Sequence, residues 1–253
     1  MFNTIKDFYL GTSGLVLPVP NKLHYPKEFQ DKSRLCYYAS LLNTIEINSS
    51  FYKPPMSSTV KKWAFDVPED FKFTFKLSKE ITHSKNLAFD PELLRHFFDT
   101  ISEVGSKKGC LLVQLPPSVR VQHFPQLDFL MQKLRENDPE MQWNIAIEFR
   151  HSSLYVDEIY ELLNTYKLGM VIHDKRFSNT PIRDNELTFV YLRFHGPNGN
   201  YRDSYADDVL SEYASYIAEW LKDGKNVFAY FNNTMGEPHE NLNTLRRYVE
   251  NQF

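Results

Sequence analysis

Six short segments of this chain alternate so that one face of an extended strand is apolar while the other carries polar side chains, with the ionisable ones gathered toward the C-terminal end. Successive side chains of a strand point to opposite faces, so a period of two decides which residues share a face. In segment 144–150 the odd positions hold Ile145, Ile147 and Phe149, and the even ones hold Asn144, Ala146, Glu148 and Arg150. Thr44, Glu46 and Asn48 oppose Ile45 and Ile47, while Thr74 and Lys76 oppose Phe71, Phe73 and Phe75. Cys110, Leu112 and Gln114 oppose Leu111, Val113 and Leu115. Tyr191, Arg193 and His195 oppose Val190, Leu192 and Phe194, and Phe228, Tyr230 and Asn232 oppose Val227, Ala229 and Phe231. Strands of this kind need helices over the apolar face and a closed interior to receive the other.

Read along the whole chain, periodicity predicts eight strands near residues 8–13, 44–48, 71–77, 110–115, 144–149, 169–173, 188–195 and 226–231. Helical patterns run near 31–42, 57–65, 91–104, 123–136, 155–166, 208–222 and 239–251. Asp90 and either Asp207 or Asp208 suit helix N-caps, and Gly105, Gly169 and Gly224 suit helix stops. Strand followed by helix, repeated, predicts an α/β fold: one (β/α)8 TIM-like barrel over residues 1–253, with its cleft at the C-terminal ends of the strands. An open doubly wound sheet fits less well, because its strands would be apolar on both faces. Long connections follow strands one, three, six (174–186) and seven (196–206), all on the rim where barrels carry their chemistry.

A net charge of -3 and a pI near 6.2 give non-specific nucleic-acid binding no support from the chain as a whole. No run approaches the ~20 apolar residues of a membrane helix, so a cytoplasmic protein without membrane contact is expected. The two cysteines, Cys36 and Cys110, form no disulfide framework and no zinc-ligand spacing, and read as reduced packing residues.

The polar strand ends should converge on one cavity. Glu46 and Glu148 project inward and face the cations Lys76 and Arg193, an arrangement able to push two carboxylate pKa values apart for acid and base work. The same charges could instead neutralise one another as a buried network. Lys76 is a candidate nucleophile or base, and His195 a candidate for proton transfer. Arg150 and Arg193 present forked donors that match a carboxylate or phosphate. Asn48, His83, Gln114, His151, Asn232 and Asn233 are further candidate substrate-binding residues, and Tyr201, in a loop that is either a lid or a surface turn, could stack on a ligand. No metal ligands are assigned and no cofactor is expected. A divalent ion held by Glu46, Glu148, His173, Asp174 and His195 is the less favoured alternative, since nearby cations oppose a dication.

Seven motifs carry a resemblance. GTSG at 11–14, EINSSFYKPP at 46–55, FKFTFKLSKEITH at 71–83, VQLPP at 113–117, IEFRH at 147–151, YLRFHG at 191–196 and YFNN at 230–233 resemble, in order and over nearly the whole chain, the YecE-like family, domain of unknown function 72. The resemblance implies a TIM-barrel-like fold and no particular reaction. It also implies that Glu46, Asn48, Lys76, His83, Gln114, Glu148, Arg150, His151, Arg193, His195, Asn232 and Asn233 occupy signature positions. Leu15 and Leu154 stand where the family often has tryptophan, so the rim pocket is expected to differ in size and stacking.

The expected function is a metal-independent enzyme acting on a small phosphate- or carboxylate-bearing substrate. Glu148 would be general acid or base, assisted by Glu46 or Lys76, with Arg150 and Arg193 on the anion. Two alternatives stay open: a metal-dependent, endonuclease-like phosphodiester hydrolase, and a non-catalytic module binding a ligand or nucleic acid. The sequence leaves the oligomeric state open.

Overall fold

The barrel is seen in a computed structural model, which describes residues 5–175, 178–182 and 186–253. Its strands in chain order are β1 (Phe8–Thr12), β2 (Thr44–Ile47), β3 (Lys72–Lys76), β4 (Lys108–Gln114), β5 (Asn144–Glu148), β6 (Gly169–His173), β7 (Phe189–Phe194), the short β8 (Arg202–Asp203), β9 (Asn226–Phe231) and the short β10 (Met235–Gly236). Helices α1 (Arg34–Leu41), α2 (Ser49–Tyr52), α3 (Ser57–Phe65), α4 (Lys79–Thr82), α5 (Pro91–Ile101), α6 (Phe124–Glu136), α7 (Asp157–Thr165), α8 (Asp207–Lys222) and α9 (Pro238–Glu250) alternate with them. Eight strands pair in parallel in the order β1-β9-β7-β6-β5-β4-β3-β2, giving a nearly closed (β/α)8 barrel. Each predicted strand is present, and the part of the loop 174–186 that covers 176–177 and 183–185 falls outside the described residues.

The period of two sorts side chains as expected. Leu111, Val113, Ile145, Ile147, Val190, Leu192, Val227 and Ala229 join one large apolar shell with Leu94, Leu127, Leu130, Ile159, Ile217 and Leu242 of the helices. Cys110, Leu112, Ala146, Val171, Tyr191, Phe228 and Tyr230 form a second cluster, which fills the lumen beneath the charged strand ends.

Closure between β1 and β2 is made largely by side chains. The Asn43 amide accepts from Leu10 N (2.9 Å) and donates to Phe8 O (2.7 Å), and the Tyr38 hydroxyl accepts from Thr12 N (2.8 Å) and donates to Thr44 O (3.1 Å). Backbone contact resumes at the Ser13–Glu46 bridge, where Gly14 N donates to Glu46 O at 2.7 Å. Gly11 lies so close to Thr44 that a Cβ there would collide with the Thr44 carbonyl oxygen.

Two boundary expectations need correction. Asp90 caps α5 by accepting from Glu92 N, but the N-cap of α8 is Ala206, and Asp207 and Asp208 lie in its first turn, where their charge opposes the helix dipole's positive end. Gly169 opens β6 and does not end a helix, whereas Gly224, at φ +77, follows the C-cap of α8. Among the described residues no helix is long and apolar enough to cross a membrane.

Candidate functional site

Glu46, Glu148 and Arg193 meet at the C-terminal end of the lumen, all three fully buried. Arg193 grips Glu46 with two prongs, Nε to Oε2 at 2.9 Å and Nη2 to Oε1 at 2.7 Å, and its Nη1 donates to Glu148 Oε2 at 2.5 Å. Glu46 also accepts from Ser13 Oγ at 2.5 Å and from the Tyr191 hydroxyl. Burial raises the pKa of both carboxyls, yet the charges outweigh it. Arg193 and the hydrogen bonds hold Glu46 below its ordinary value, and Arg150 with Arg193 hold Glu148 well below it. In this ion-paired floor the lone pairs of Glu46 are engaged by Arg193, Ser13 and Tyr191 and the residue has no access to solvent, an arrangement that favours the buried-network reading of Glu46 over the acid–base one.

Above the floor the side chains become partly exposed. Gln114 Oε1 accepts from Lys76 Nζ (3.0 Å) and from Arg150 Nη2 (3.2 Å), tying the ends of β3 and β4 to the residue just past β5. Arg150 Nη2 also forms an ion pair with Glu148 Oε1. Among the described residues Glu148 Oε1 and Arg150 Nε, both buried, have no hydrogen-bond partner. Lys76 lies 4.1 Å over the Phe51 ring and, among the described residues, pairs with no carboxylate. Burial and the charges of Arg193 and Arg150 push its pKa down to about 8, against the opposing pull of Glu148 and Glu46. At the same rim are His83, edge-on to Phe51 at 4.9 Å, and Asn48, whose buried Oδ1 has no hydrogen-bond partner among the described residues.

His195 is sealed between cations and an acid. Its Nδ1 lies 3.3 Å from Asp174 Oδ1, and its Nε2 lies 3.2 Å from both Arg150 Nη2 and Arg193 Nη1. Guanidinium nitrogens only donate, so Nε2 must be the acceptor and the proton sits on Nδ1. Burial, outweighing the Asp174 bond, lowers its pKa to about 4. The ring is therefore neutral with its lone pair engaged, which suits positioning of the two arginines better than the proton transfer expected from the sequence.

Three other candidate residues are engaged within the protein. His151 Nδ1 accepts from Ser153 N at 3.1 Å and contacts Ser153 Oγ at 2.8 Å, which caps a short turn of helix and commits that nitrogen to structure. Asn233 is fully buried and donates to Asp203 O (2.9 Å) and Asn241 Oδ1 (3.0 Å), fastening β8 to α9. Tyr201 sits edge-on to His195 with Lys175 Nζ 4.0 Å over its ring, and its loop is tied by Tyr201 N to His195 O (2.6 Å) and Met235 N to Tyr201 O (3.0 Å). Asn232, also at the rim, is half-buried, and its backbone N donates to Phe194 O at 2.7 Å.

The alternative metal ligands do not converge. Arg193 stands between Glu46 and Glu148, and both nitrogens of His173 are engaged, Nε2 with Phe149 O (2.8 Å) and Nδ1 with Lys175 N (3.1 Å). Among the described residues no three His, Cys, Asp or Glu side chains are placed to hold a metal ion together.

Sequence reasoning gave no role to Phe51 or Tyr191, and offered Tyr205 only as a ring that could stack on a ligand. Tyr191 shares the inward face of β7 with Arg193, a signal the period of two carries, and Tyr205 reaches Asp174 from the loop before α8. Phe51 comes from the short α2, where no periodicity marks it.

A family model described as "Protein of unknown function DUF72" matches residues 9–252. The UPF0759 protein YunF of Bacillus subtilis (strain 168) is 24% identical over 250 residues, covering 84% of each chain. The UPF0759 protein YecE of Escherichia coli (strain K12) is 26% identical over 118 residues, 47% of this chain, and the match spans under half (42%) of that relative's length. Among solved structures, a DUF72 family protein of Enterococcus faecalis V583 superposes with a TM-score of 0.78 at 19% identity, covering 96% of this chain and 95% of the other. One from Thermotoga maritima MSB8 gives 0.70 at 24% identity, covering 96% and 99%. These two likenesses speak for the fold.

Proposed function

The chain belongs to the DUF72 family of proteins of unknown function, and on that premise we propose that its barrel mouth binds and transforms a small phosphate- or carboxylate-bearing substrate. Arg150 is the anion clamp and Lys76 the group that moves a proton. One observation carries the reading: two cations at the mouth, Lys76 and Arg150, share a single neutral oxygen, Gln114 Oε1, above a floor whose carboxylates hold Arg193 and, through Glu148, Arg150 as well. An incoming anion would find Lys76 without a counter-ion among the described residues, with the Arg150 guanidinium beside it on the same oxygen. A lysine with a pKa near 8 exchanges protons close to neutral pH, as a general base or acid requires. Glu148, fully buried and strongly ionised, holds Arg150 and Arg193 in place as a positioning residue.

The free thiols Cys36 and Cys110 fit a reducing compartment, and the cytoplasm is the proposed location. The test is calorimetric titration of inorganic phosphate and of acetate into the wild type, Arg150→Gln and Lys76→Met, joined to a phosphorus and proton NMR screen of phosphate monoesters and carboxylates for turnover. Binding weakened about tenfold or more in Arg150→Gln is expected from loss of a charge-assisted contact. Equal binding by all three proteins would remove the anion site.

A further inference from the structure

We propose that Lys76 is also a nucleophile, forming an imine with the carbonyl carbon of a 2-oxo acid whose carboxylate rests on Arg150. The inference relies on the anion site above and names its substrate class. Lys76 Nζ and Arg150 Nη2 bind the same oxygen, Gln114 Oε1, at 3.0 and 3.2 Å, so the two nitrogens can be no further apart than those bonds laid end to end. A molecule that spans them must carry its electrophile next to its anion. In a 2-oxo acid the carbonyl carbon is bonded directly to the carboxylate carbon, which meets that limit, whereas an anion several bonds from its carbonyl would overreach it.

The surroundings of the amine favour attack. Phe51 covers one side of it at 4.1 Å, and the Gln114 oxygen fixes one N–H direction. The charged groups facing it are Arg193, Arg150, Glu148 and Glu46, with His83 beside them on the rim. Burial and the two guanidiniums disfavour the ammonium form, so that near pH 7 the neutral, nucleophilic fraction is roughly a few hundredfold that of an ordinary lysine.

The step balances without oxidant or reductant. The nitrogen lone pair adds to the carbonyl carbon as the C=O π pair moves to oxygen. A nitrogen proton passes to that oxygen to give the carbinolamine. The hydroxyl then leaves as water, taking one proton from solvent at the mouth, and the product is a protonated imine. Its positive charge takes the place of the Lys76 ammonium, which Glu148 and Glu46 favour.

Pyruvate with sodium cyanoborohydride, followed by peptide mass spectrometry, tests the proposal. Lys76 is expected to take the reduced adduct at least about tenfold faster than the exposed Lys79 nearby, the gain in neutral amine being partly offset by lower basicity. Acetone, which has the carbonyl but no carboxylate, should label Lys76 poorly. Arg150→Gln should bring pyruvate down to the acetone rate, and lactate should compete with pyruvate on the wild type, a result that needs no variant to fold. Labelling of Lys76 no faster than Lys79, or no lactate competition, overturns the proposal. Lactate bound in calorimetry without selective labelling would defeat the imine alone, and failure of both would take the anion site with it.

Discussion

Arg193 and Glu46 form a two-pronged ion pair, Nε to Oε2 at 2.9 Å and Nη2 to Oε1 at 2.7 Å, between side chains 1% and 0% exposed. They are 147 residues apart in the chain. Taking two such charges out of water is costly, and their attraction offsets the cost only because Ser13, Tyr191 and Glu148 satisfy the remaining valences.

That balance makes the single replacements harsher than the double one. Glu46→Leu, which leaves Arg193 with Glu148 as its sole carboxylate among the described residues, and Arg193→Met, which leaves the buried Glu46 without its cation, should each lower stability by about 3–5 kcal/mol. The double variant should lose much less than the sum of the two. Urea denaturation in a double-mutant cycle checks this, and additive losses would speak against a coupled pair.

Acid should weaken the fold through His195. Its folded-state pKa is lowered by burial to about 4, so between the ordinary histidine value of 6.5 and 4 the unfolded chain holds a proton that the native ring refuses. Stability from this group is complete above 6.5 and falls as the pH drops toward 4, by on the order of 1–3 kcal/mol. Thermal melts across this range should show a smaller slope in His195→Gln than in the wild type.

The side-chain seam between β1 and β2 should be sensitive to single atoms. Tyr38→Phe removes the hydroxyl that serves Thr12 N and Thr44 O, and stranding those buried groups should cost about 1–3 kcal/mol. Hydrogen exchange at the Thr12 amide should speed up beyond the global change. Gly11→Ala should be worse, since its methyl meets backbone.

Gln114 sets the charge balance at the mouth. Gln114→Glu places a carboxylate against both Lys76 and Arg150, and should raise the Lys76 pKa by about one unit or more from its value near 8. Carbon-13 NMR titration of the lysine ε-methylene would read this directly. The same change should abolish phosphate binding by filling the clamp from within.

Much of this was legible in the primary structure. The inward set Glu46, Lys76, Gln114, Glu148, Tyr191 and Arg193, and the outward set of Ile, Leu, Val and Phe, follow from strand pleating, a local property with a fixed period. The eight strands could be found for the same reason, and so could their convergence at the C-terminal rim. The partners of each charge could not, because pairing depends on strand register and barrel closure between segments far apart in sequence. Register sets Gln114 beside Glu148 and His173 beside Arg193, and closure brings Glu46 across the lumen to Arg193. Only there does it emerge that Glu46 and His195 are spoken for by buried neighbours while Lys76 and Arg150 still face the mouth. The amino-acid order determined which groups point inward. Three-dimensional closure decided which of them are neutralised, since electrostatic fate depends on distance and burial and neither is a local property of the chain.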